Sequence, residues 1–422
     1  MRVLLEAPIL TRSGYGEHSR LVYKALKDIE GLDIFVNPLN WGNTSWILDA
    51  EENIIQDITK YQSYAEISKS NNTNQEYNYQ IHVGIPNEFE KKAEYSVCVT
   101  AGIETDRVSP AWIVKTHQGI KKIIVPSEHA KLGFVQTKYE VSNERKQTKT
   151  VIGCNCPVEV VPYPVKHFEK EALDIDFKTN FNFLTVALLG ARKNIENSIK
   201  WFVEEFRENE DVGLILKTSR AGSSVIDRKH TKQYITMEVA KQGPRKCKIY
   251  LIHGDLTESE LHSLYTHSKV KAYVSSTHGE GYGLPIFEAA YSGLPVIATD
   301  WSGHLDFLTG NIRENNKEKE KKLFARVSYD LKEIEKQVVW ENILIEGSKW
   351  AYPKEASFKS QLQKVYKNYG MYKKWAQTLQ KTVLRTHSPD IINNKLKEAL
   401  GIEPEIPEVI DWMQSQQEIE TL

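Results

Sequence analysis

The sequence predicts an α/β protein built from two parallel-sheet halves followed by C-terminal helices. Short apolar runs alternate with helix-length amphipathic segments along most of the chain, the pattern of strands joined by crossover helices. A length of 422 residues suits two or three domains. Residues 161–180 (VPYPVKHFEKEALDIDFKTN), with two prolines and then a charged run, divide the alternation and read as a linker.

In the first half the expected strands are Val3–Ala7, Asp33–Pro38, Tyr79–Val83, Tyr95–Thr100, Lys122–Pro126 and Val158–Val161. Between the first two, Glu17–Asp28 places Leu21, Val22, Ala25 and Leu26 on one helical face. The second half offers strands at Phe183–Leu189, Val212–Lys217, Lys248–His253, Ala272–Ser275 and Pro295–Thr299. Helices are expected at Asn197–Phe206, Ser259–His267 and Ile286–Ser292. Asn311–Lys322 is almost wholly polar and reads as a solvated loop. From Val338 onward the pattern is helical and aromatic-rich, ending in a polar tail. The expected divisions are therefore 1–170, 171–337 and 338–422, part of the last crossing back onto the first.

Composition narrows the function classes. Apolar residues make up 40% and charged residues 26%, ordinary for a soluble globular chain. A net charge of −1 gives no global attraction to nucleic acid or anionic lipid. The N-terminal apolar stretch is short and broken by Glu6 and Pro8, unlike a signal peptide, and no run of eighteen apolar residues occurs. Four cysteines make no disulfide framework. Cys154 and Cys156 form a C-x-C pair without a second pair at metal-like spacing, and read as reduced cysteines. A cytoplasmic location is expected.

Three glycine-containing turns follow predicted strands. GYGEHS (14–19) opens the first helix, where Gly14 and Gly16 let backbone amides approach an anion. It is not the dinucleotide fingerprint, because Ser19 stands where the third glycine would be. GARKN (190–194) sets Arg192 and Lys193 at a strand's carboxyl end, and Lys217 occupies the matching end of the next strand. Cations at two adjacent strand ends suit a diphosphate.

The third turn lies in THGEGYGLPIFEAAYSGLPVIATDWSGH (277–304). Pro285 suits the first turn of a helix that stops at Gly293, so Glu288 is held on that helix near its positive end. Glu280 lies in the glycine loop before it. The two carboxylates do not share a helix face, which favours separate hydroxyl contacts over an acid/base couple.

With these residues in view, the chain resembles the retaining, nucleotide-sugar-dependent glycosyltransferases of GT-B fold (family four, glycosyl transferases group 1). The similarity is strongest over Phe183–Phe307 and visible in GYGEHSRLVYKAL and KKIIVPSEHAKLGF (121–134). EGYGLPIFE, with Glu280 and Glu288, carries it most specifically. The resemblance implies two Rossmann-like domains facing across a cleft, the first binding the acceptor and the second the nucleotide sugar. It gives Glu288 the ribose hydroxyls and Glu280 the donor sugar, with backbone amides of Gly281, Tyr282, Gly283 and Leu284 assisting. Arg192, with Lys193 or Lys217, would neutralise the diphosphate, which Gly14 and Gly16 approach from the other domain. The turn at Gly254–Leu256 would hold the base.

Two departures stand out. Arg192 and Lys193 are adjacent where the family commonly spaces its basic pair, so Lys193 and Lys217 compete for the second role. Many members carry a histidine after the fourth strand; here CVTAGIETDR (98–107) puts Glu104, Thr105 or Asp106 there, on the acceptor side. His117 and His129 read as ordinary histidines.

The resemblance implies retention of anomeric configuration, with the departing diphosphate taking the acceptor's proton. No metal ligand set stands out and no cofactor is expected beyond the nucleotide sugar, UDP- rather than GDP-linked. The acceptor would be a glycan, a lipid-linked glycan or a small molecule, docking near Trp41–Trp46 and Thr100–Trp112. Lys115–Lys149 holds eight Lys/Arg against three Asp/Glu, compatible with hydroxymethylated DNA or an anionic membrane surface as the alternative. Rival readings are a sugar-nucleotide epimerase, a phosphorylase, and a non-catalytic sugar-nucleotide-binding module. A monomer or homodimer fits equally.

Overall fold

The computed structural model describes residues 1–402 apart from 43, 48, 144–147, 170, 172, 174 and 315–316. The expected polar tail (403–422) lies outside the described residues. So do residue 170, where the expected boundary falls, residues 144–147 of the basic segment, and residue 43 of the Trp41–Trp46 surface.

The first half runs β1 (Arg2–Ala7), α1 (Gly14–Lys27), β2 (Asp33–Pro38), α2 (Glu52–Ser70), β3 (Tyr77–Val83) and β4 (Ala93–Val99). It continues with α3 (Pro110–Thr116), β5 (Lys122–Val125), α4 (Glu128–Val135), β6 (Lys138–Asn143), β7 (Thr148–Gly153) and β8 (Val158–Val160). The second half holds β9 (Phe181–Leu188), α5 (Ile195–Phe206), β10 (Val212–Ser219), α6 (Val225–Ala240), β11 (Lys248–Ile252) and α7 (Glu258–Tyr265). Then come β12 (Val270–Val274), α8 (Leu284–Tyr291), β13 (Val296–Thr299), β14 (Thr309–Glu314), β15 (Lys317–Lys322) and β16 (Ala325–Val327). β17 (Tyr329–Glu333), β18 (Lys349–Pro353), α9 (Glu355–Lys367), α10 (Tyr369–Thr386) and α11 (Pro389–Leu400) finish the described chain. Every strand expected in the two halves is present, its ends shifted by at most two residues.

Two six-stranded sheets result, ordered β2-β1-β3-β4-β5-β8 and β11-β10-β9-β12-β13-β16, with every pairing parallel. The strand order reverses between β1 and β3 in one sheet and between β9 and β12 in the other. Loops leaving the strands on either side of such a reversal splay apart and open a crevice at their carboxyl ends.

Local sequence explains why α1 begins where the first crevice lies. Ser13 caps it by accepting from the Gly16 amide at 2.9 Å, and Glu17 sits in its first turn, where the helix dipole favours a carboxylate. Val22, Tyr23, Ala25 and Leu26 are buried against β1 and β3. The C-terminal helices serve both halves. α10 packs on α8, with Gln380 donating to Tyr291 O at 2.8 Å. α11 returns to the first half, burying Ile392, Leu396 and Leu400 against α1. Each such side chain contributes about 1.5–3 kcal/mol by leaving water.

Two expectations are corrected. Asn311–Lys322 is not a loop: its described residues lie in the antiparallel strands β14 and β15, because Ile312 and the following Leu323 turn inward onto the core beside α10. Counting charge hid that inward face. The helical segment begins at Glu355 rather than Val338, because Trp350 and Tyr352 of β18 pack their rings on His278, and Ala351 N donates to His278 O at 2.9 Å. Helices α2 and α6 escape sequence reading. They bury only Ile54, Asp57, Ile58 and Ser68, and Thr231, Ile235 and Glu238, too few for a wide apolar stripe. Among the described residues no helix is long and apolar enough to cross a membrane.

Candidate active site

The loops after β9 and β12 flank the reversal of the second sheet and are bound to each other. Ser276 Oγ donates to Asn194 O at 2.8 Å, and His278 N donates to Arg192 O at 2.8 Å. A 3₁₀ turn at Ala191–Lys193 then aims two consecutive basic side chains at one target. Arg192 Nη1 lies 2.9 Å from Glu280 Oε2, and Lys193 Nζ lies 2.5 Å from Glu280 Oε1. Glu280 is 7% exposed. Burial alone would raise its pKa, but Arg192 and Lys193 outweigh burial and hold the carboxyl well below the usual range. Burial and the adjacent Arg192 charge push the Lys193 ammonium down.

Glu288 sits in a different environment. Gly283, at φ 90°, turns the chain in the left-handed region, and Pro285 follows in the first turn of α8. Glu288 is carried one turn further and accepts from the Tyr265 hydroxyl at 2.9 Å. Burial pushes its carboxyl up to about 7, against the Tyr265 hydrogen bond. The two glutamates are thus separated in chemistry: Glu280 is a locked anion and Glu288 a carboxyl that titrates near neutrality.

Between the halves lies a cavity of about 890 Å³. Gly14, Lys217, Leu256, Leu284 and Glu288 all line it, so the structure gathers residues from α1, β10, the loop before α7, and α8. Lys217 Nζ donates to Gly254 O at 2.7 Å, and burial lowers its pKa. Trp41 lines the first-half wall with its ring 4.1 Å from that of Tyr15. Arg192, Lys193 and Glu280 stand outside this lining and form an ion cluster of their own.

Contacts between the halves explain the glycines. A Cβ on Gly281 would stand 2.3 Å from Ala101 O, and one on Gly279 would stand 2.1 Å from Glu104 O. Ser127 Oγ donates to Gly281 O at 2.5 Å. These glycines let the loop after β4 press on the loop after β12. Gly16 is likewise a packing glycine: a Cβ there would lie 2.0 Å from Thr11 O, and its amide is already given to Ser13. It is not a free donor to a ligand. Tyr282 keeps its ring in the core beside Tyr163 and Phe307.

Of the three candidates after β4, one reaches the site. Glu104 Oε1 pairs with Arg192 Nη2 at 3.2 Å across the halves. Thr105 is buried, its hydroxyl donating to Arg107 O at 2.9 Å, and Asp106 accepts from Lys349 N at 2.7 Å. Both are held by backbone partners and correct the expectation that they face the cleft. His117 Nε2 bonds Gly153 O at 2.9 Å, and His129 packs edge-on to Trp301; neither lines the cavity.

Comparison with known proteins decides the assignment of this half. Residues 168–314 match the family model described as Glycosyl transferases group 1. That stretch is similar to a group 1 glycosyltransferase domain. Curated proteins give no sequence match. Among solved structures, sucrose-phosphate synthase from Thermosynechococcus elongatus aligns with TM-score 0.57 and 13% identity, covering 94% of this chain and 98% of that one. Anabaena Alr3699/HepE in complex with UDP and glucose aligns with TM-score 0.55 and 10% identity, covering 95% and 99%. An Escherichia coli trehalose-6-phosphate protein bound with UDP-2-fluoro glucose gives TM-score 0.56 and 10% identity, covering 96% and 100%. At this identity the likeness is one of fold, and the fold is GT-B.

The chain also has cleft residues that sequence reading missed. Lys166 Nζ reaches Glu17 of α1 at 2.7 Å and Glu258 of α7 at 2.6 Å, tying the two walls of the cavity together. Tyr265 buttresses Glu288. Apart from Glu17, which lies within GYGEHS (14–19), none stood in a recognisable turn.

Proposed function

We propose that this glycosyltransferase moves a hexose or related sugar from a UDP-sugar to a hydroxyl of a glycan, lipid-linked glycan or small molecule, with retention of configuration. The observation that carries the reading is the pairing of Arg192 and Lys193 on Glu280 at the strand reversal, next to a cavity holding Lys217 and Glu288. Neighbours of the same fold bear UDP and glucose or a UDP-fluoro sugar, which supports a UDP-linked donor.

In this reading Glu288 accepts hydroxyl hydrogens of the ribose, and Glu280 fixes the sugar while keeping two cations in place. Arg192 and a lysine stabilise charge as the C1–O bond to the diphosphate breaks. The acceptor oxygen bonds to C1 on the same face, and its proton passes to the leaving phosphate oxygen. The protein supplies orientation and fixed positive charge. The first half, with Trp41 on the cavity wall, presents the acceptor.

The test incubates the protein with UDP-glucose and other nucleotide sugars plus an acceptor panel that includes hydroxymethylated DNA. Mass spectrometry reads transfer, and NMR reads the anomeric configuration of the product. Transfer with retention is expected. Inverted product, or donor conversion to an epimer without any acceptor, would sink the reading.

A further inference from the structure

The turn between β7 and β8 carries chemistry that the cleft does not use. Cys154 and Cys156 are both free and partly exposed, with their sulfurs 4.0 Å apart. The residue between them is anchored, since Asn155 N donates to Thr116 Oγ1 at 3.1 Å. The Cys154 thiol faces the Cys156 carbonyl at 3.4 Å. Neither cysteine lines the cavity between the halves. The other two cysteines, Cys98 and Cys247, are buried.

We propose that Cys154 and Cys156 are a redox-exchangeable dithiol, closing to an intramolecular disulfide by exchange with a low-molecular-weight disulfide such as oxidised glutathione. The sulfurs must approach from 4.0 Å to about 2 Å for the bond to form. The Cys154 thiolate attacks one sulfur of the oxidised glutathione, forming a mixed disulfide and releasing one glutathione thiolate. Cys156 then attacks the Cys154 sulfur and expels the second glutathione. Two protein thiols are oxidised, one disulfide is reduced to two thiols, and the two protons pass to the released thiolates.

The environment divides the labour in that order. The hydrogen bond from Cys156, with the nearby His117 ring adding to it against burial, lowers the Cys154 pKa, which favours Cys154 as the attacking thiolate. The same hydrogen bond and burial push Cys156 up, keeping it protonated until the mixed disulfide forms.

A zinc site fits less well. Among the described residues no group of three His, Cys, Asp or Glu is arranged to hold a metal, and the His117 Nε2 is given to Gly153 O.

The experiment equilibrates the full chain in buffers of varied reduced-to-oxidised glutathione ratio, quenches in acid and maps alkylated peptides by mass spectrometry. Wild type is expected to lose two alkylatable thiols together and to yield one peptide carrying a Cys154–Cys156 disulfide. The Cys156→Ser variant is expected to stop at one glutathione on Cys154, because the resolving thiol is gone. The proposal is overturned if wild type keeps both thiols in excess oxidised glutathione. A stable glutathione adduct on wild type, or disulfides formed only between chains, overturns it equally.

Discussion

Lys193 and Arg192 share one carboxylate, Glu280, from opposite oxygens at 2.5 and 2.9 Å. The arrangement keeps two positive charges close together in a mostly buried place that would otherwise repel them. Removing the carboxylate leaves both cations undercompensated, with Glu104 remaining near Arg192. Loss of one partner in a buried ion cluster costs about 3–5 kcal/mol. Arg192→Ala and Glu280→Gln should each lower turnover about 10²-fold or more at saturating donor, the scale of one lost electrostatic contact. Wild-type rates in both variants would remove the assignment.

The same cluster sets an acid limit on stability. The Glu280 pKa is lower in the folded chain than in the unfolded one, so its contribution is complete above the ordinary glutamate range. That contribution is lost as pH falls below the range towards the folded value. Thermal melts of wild type should therefore fall more steeply below about pH 4.5 than those of Glu280→Gln. Parallel melting curves would contradict this.

Glu288 works in the other direction. Its folded pKa is raised to about 7, so the folded state holds a proton that the unfolded state releases at lower pH. Stability from this group falls as pH rises from the ordinary glutamate value to about 7. Glu288→Gln keeps an acceptor for Tyr265 and should raise the melting temperature at pH 8 relative to wild type. Donor affinity should behave oppositely, since an ionised carboxylate is the stronger hydroxyl acceptor. Wild-type Kd for UDP-glucose should tighten across pH 6–8, the range about the Glu288 pKa of about 7, while that of the variant stays flat. A pH-independent wild-type Kd would show that Glu288 is not the group being titrated.

What the sequence shows well is backbone punctuation. Gly283 and Pro285 announce the turn and helix that hold Glu288, and the apolar run before Arg192 announces β9. What it shows poorly is partnership across the halves. Glu17 and Lys166 are far apart in sequence, and nothing in either local pattern signals an ion pair. Thr105 and Asp106 looked available because strand-end loops commonly are. Their engagement by Arg107 O and Lys349 N depends on tertiary contacts invisible in the chain. Gly16 was misread for a related reason: its amide is used by the cap, and its missing Cβ makes room for Thr11.

The glycines facing Ala101 and Glu104 carry a prediction about the geometry between the halves. A methyl group at Gly281 meets a backbone oxygen that no side-chain rotation can move aside. The variant Gly281→Ala must shift one loop away from the other, taking Glu280 out of register with the first half. A misplacement of about 1 Å costs on the order of 10²-fold in rate. Turnover should fall by that amount while the melting temperature changes little, and small-angle scattering should report a larger radius of gyration. Unchanged turnover would mean that the close contact is not needed for catalysis.

The final prediction concerns which lysine serves the leaving group, and whether a metal does so instead. Lys193 Nζ is committed to Glu280, whereas Lys217 lines the cavity, its Nζ donating to the Gly254 carbonyl at 2.7 Å near the Asp255 carboxylate. Releasing one neutral acceptor to meet a diphosphate costs little beside breaking a buried ion pair. Lys217→Ala should therefore lower kcat/KM about 10²-fold with little change in melting temperature. Lys193→Ala should lower the melting temperature as well as the rate. If fixed cations do the neutralising, EDTA at millimolar concentration leaves wild-type turnover unchanged. A rate abolished by EDTA and restored by a divalent ion would transfer that role from Lys217 to a metal.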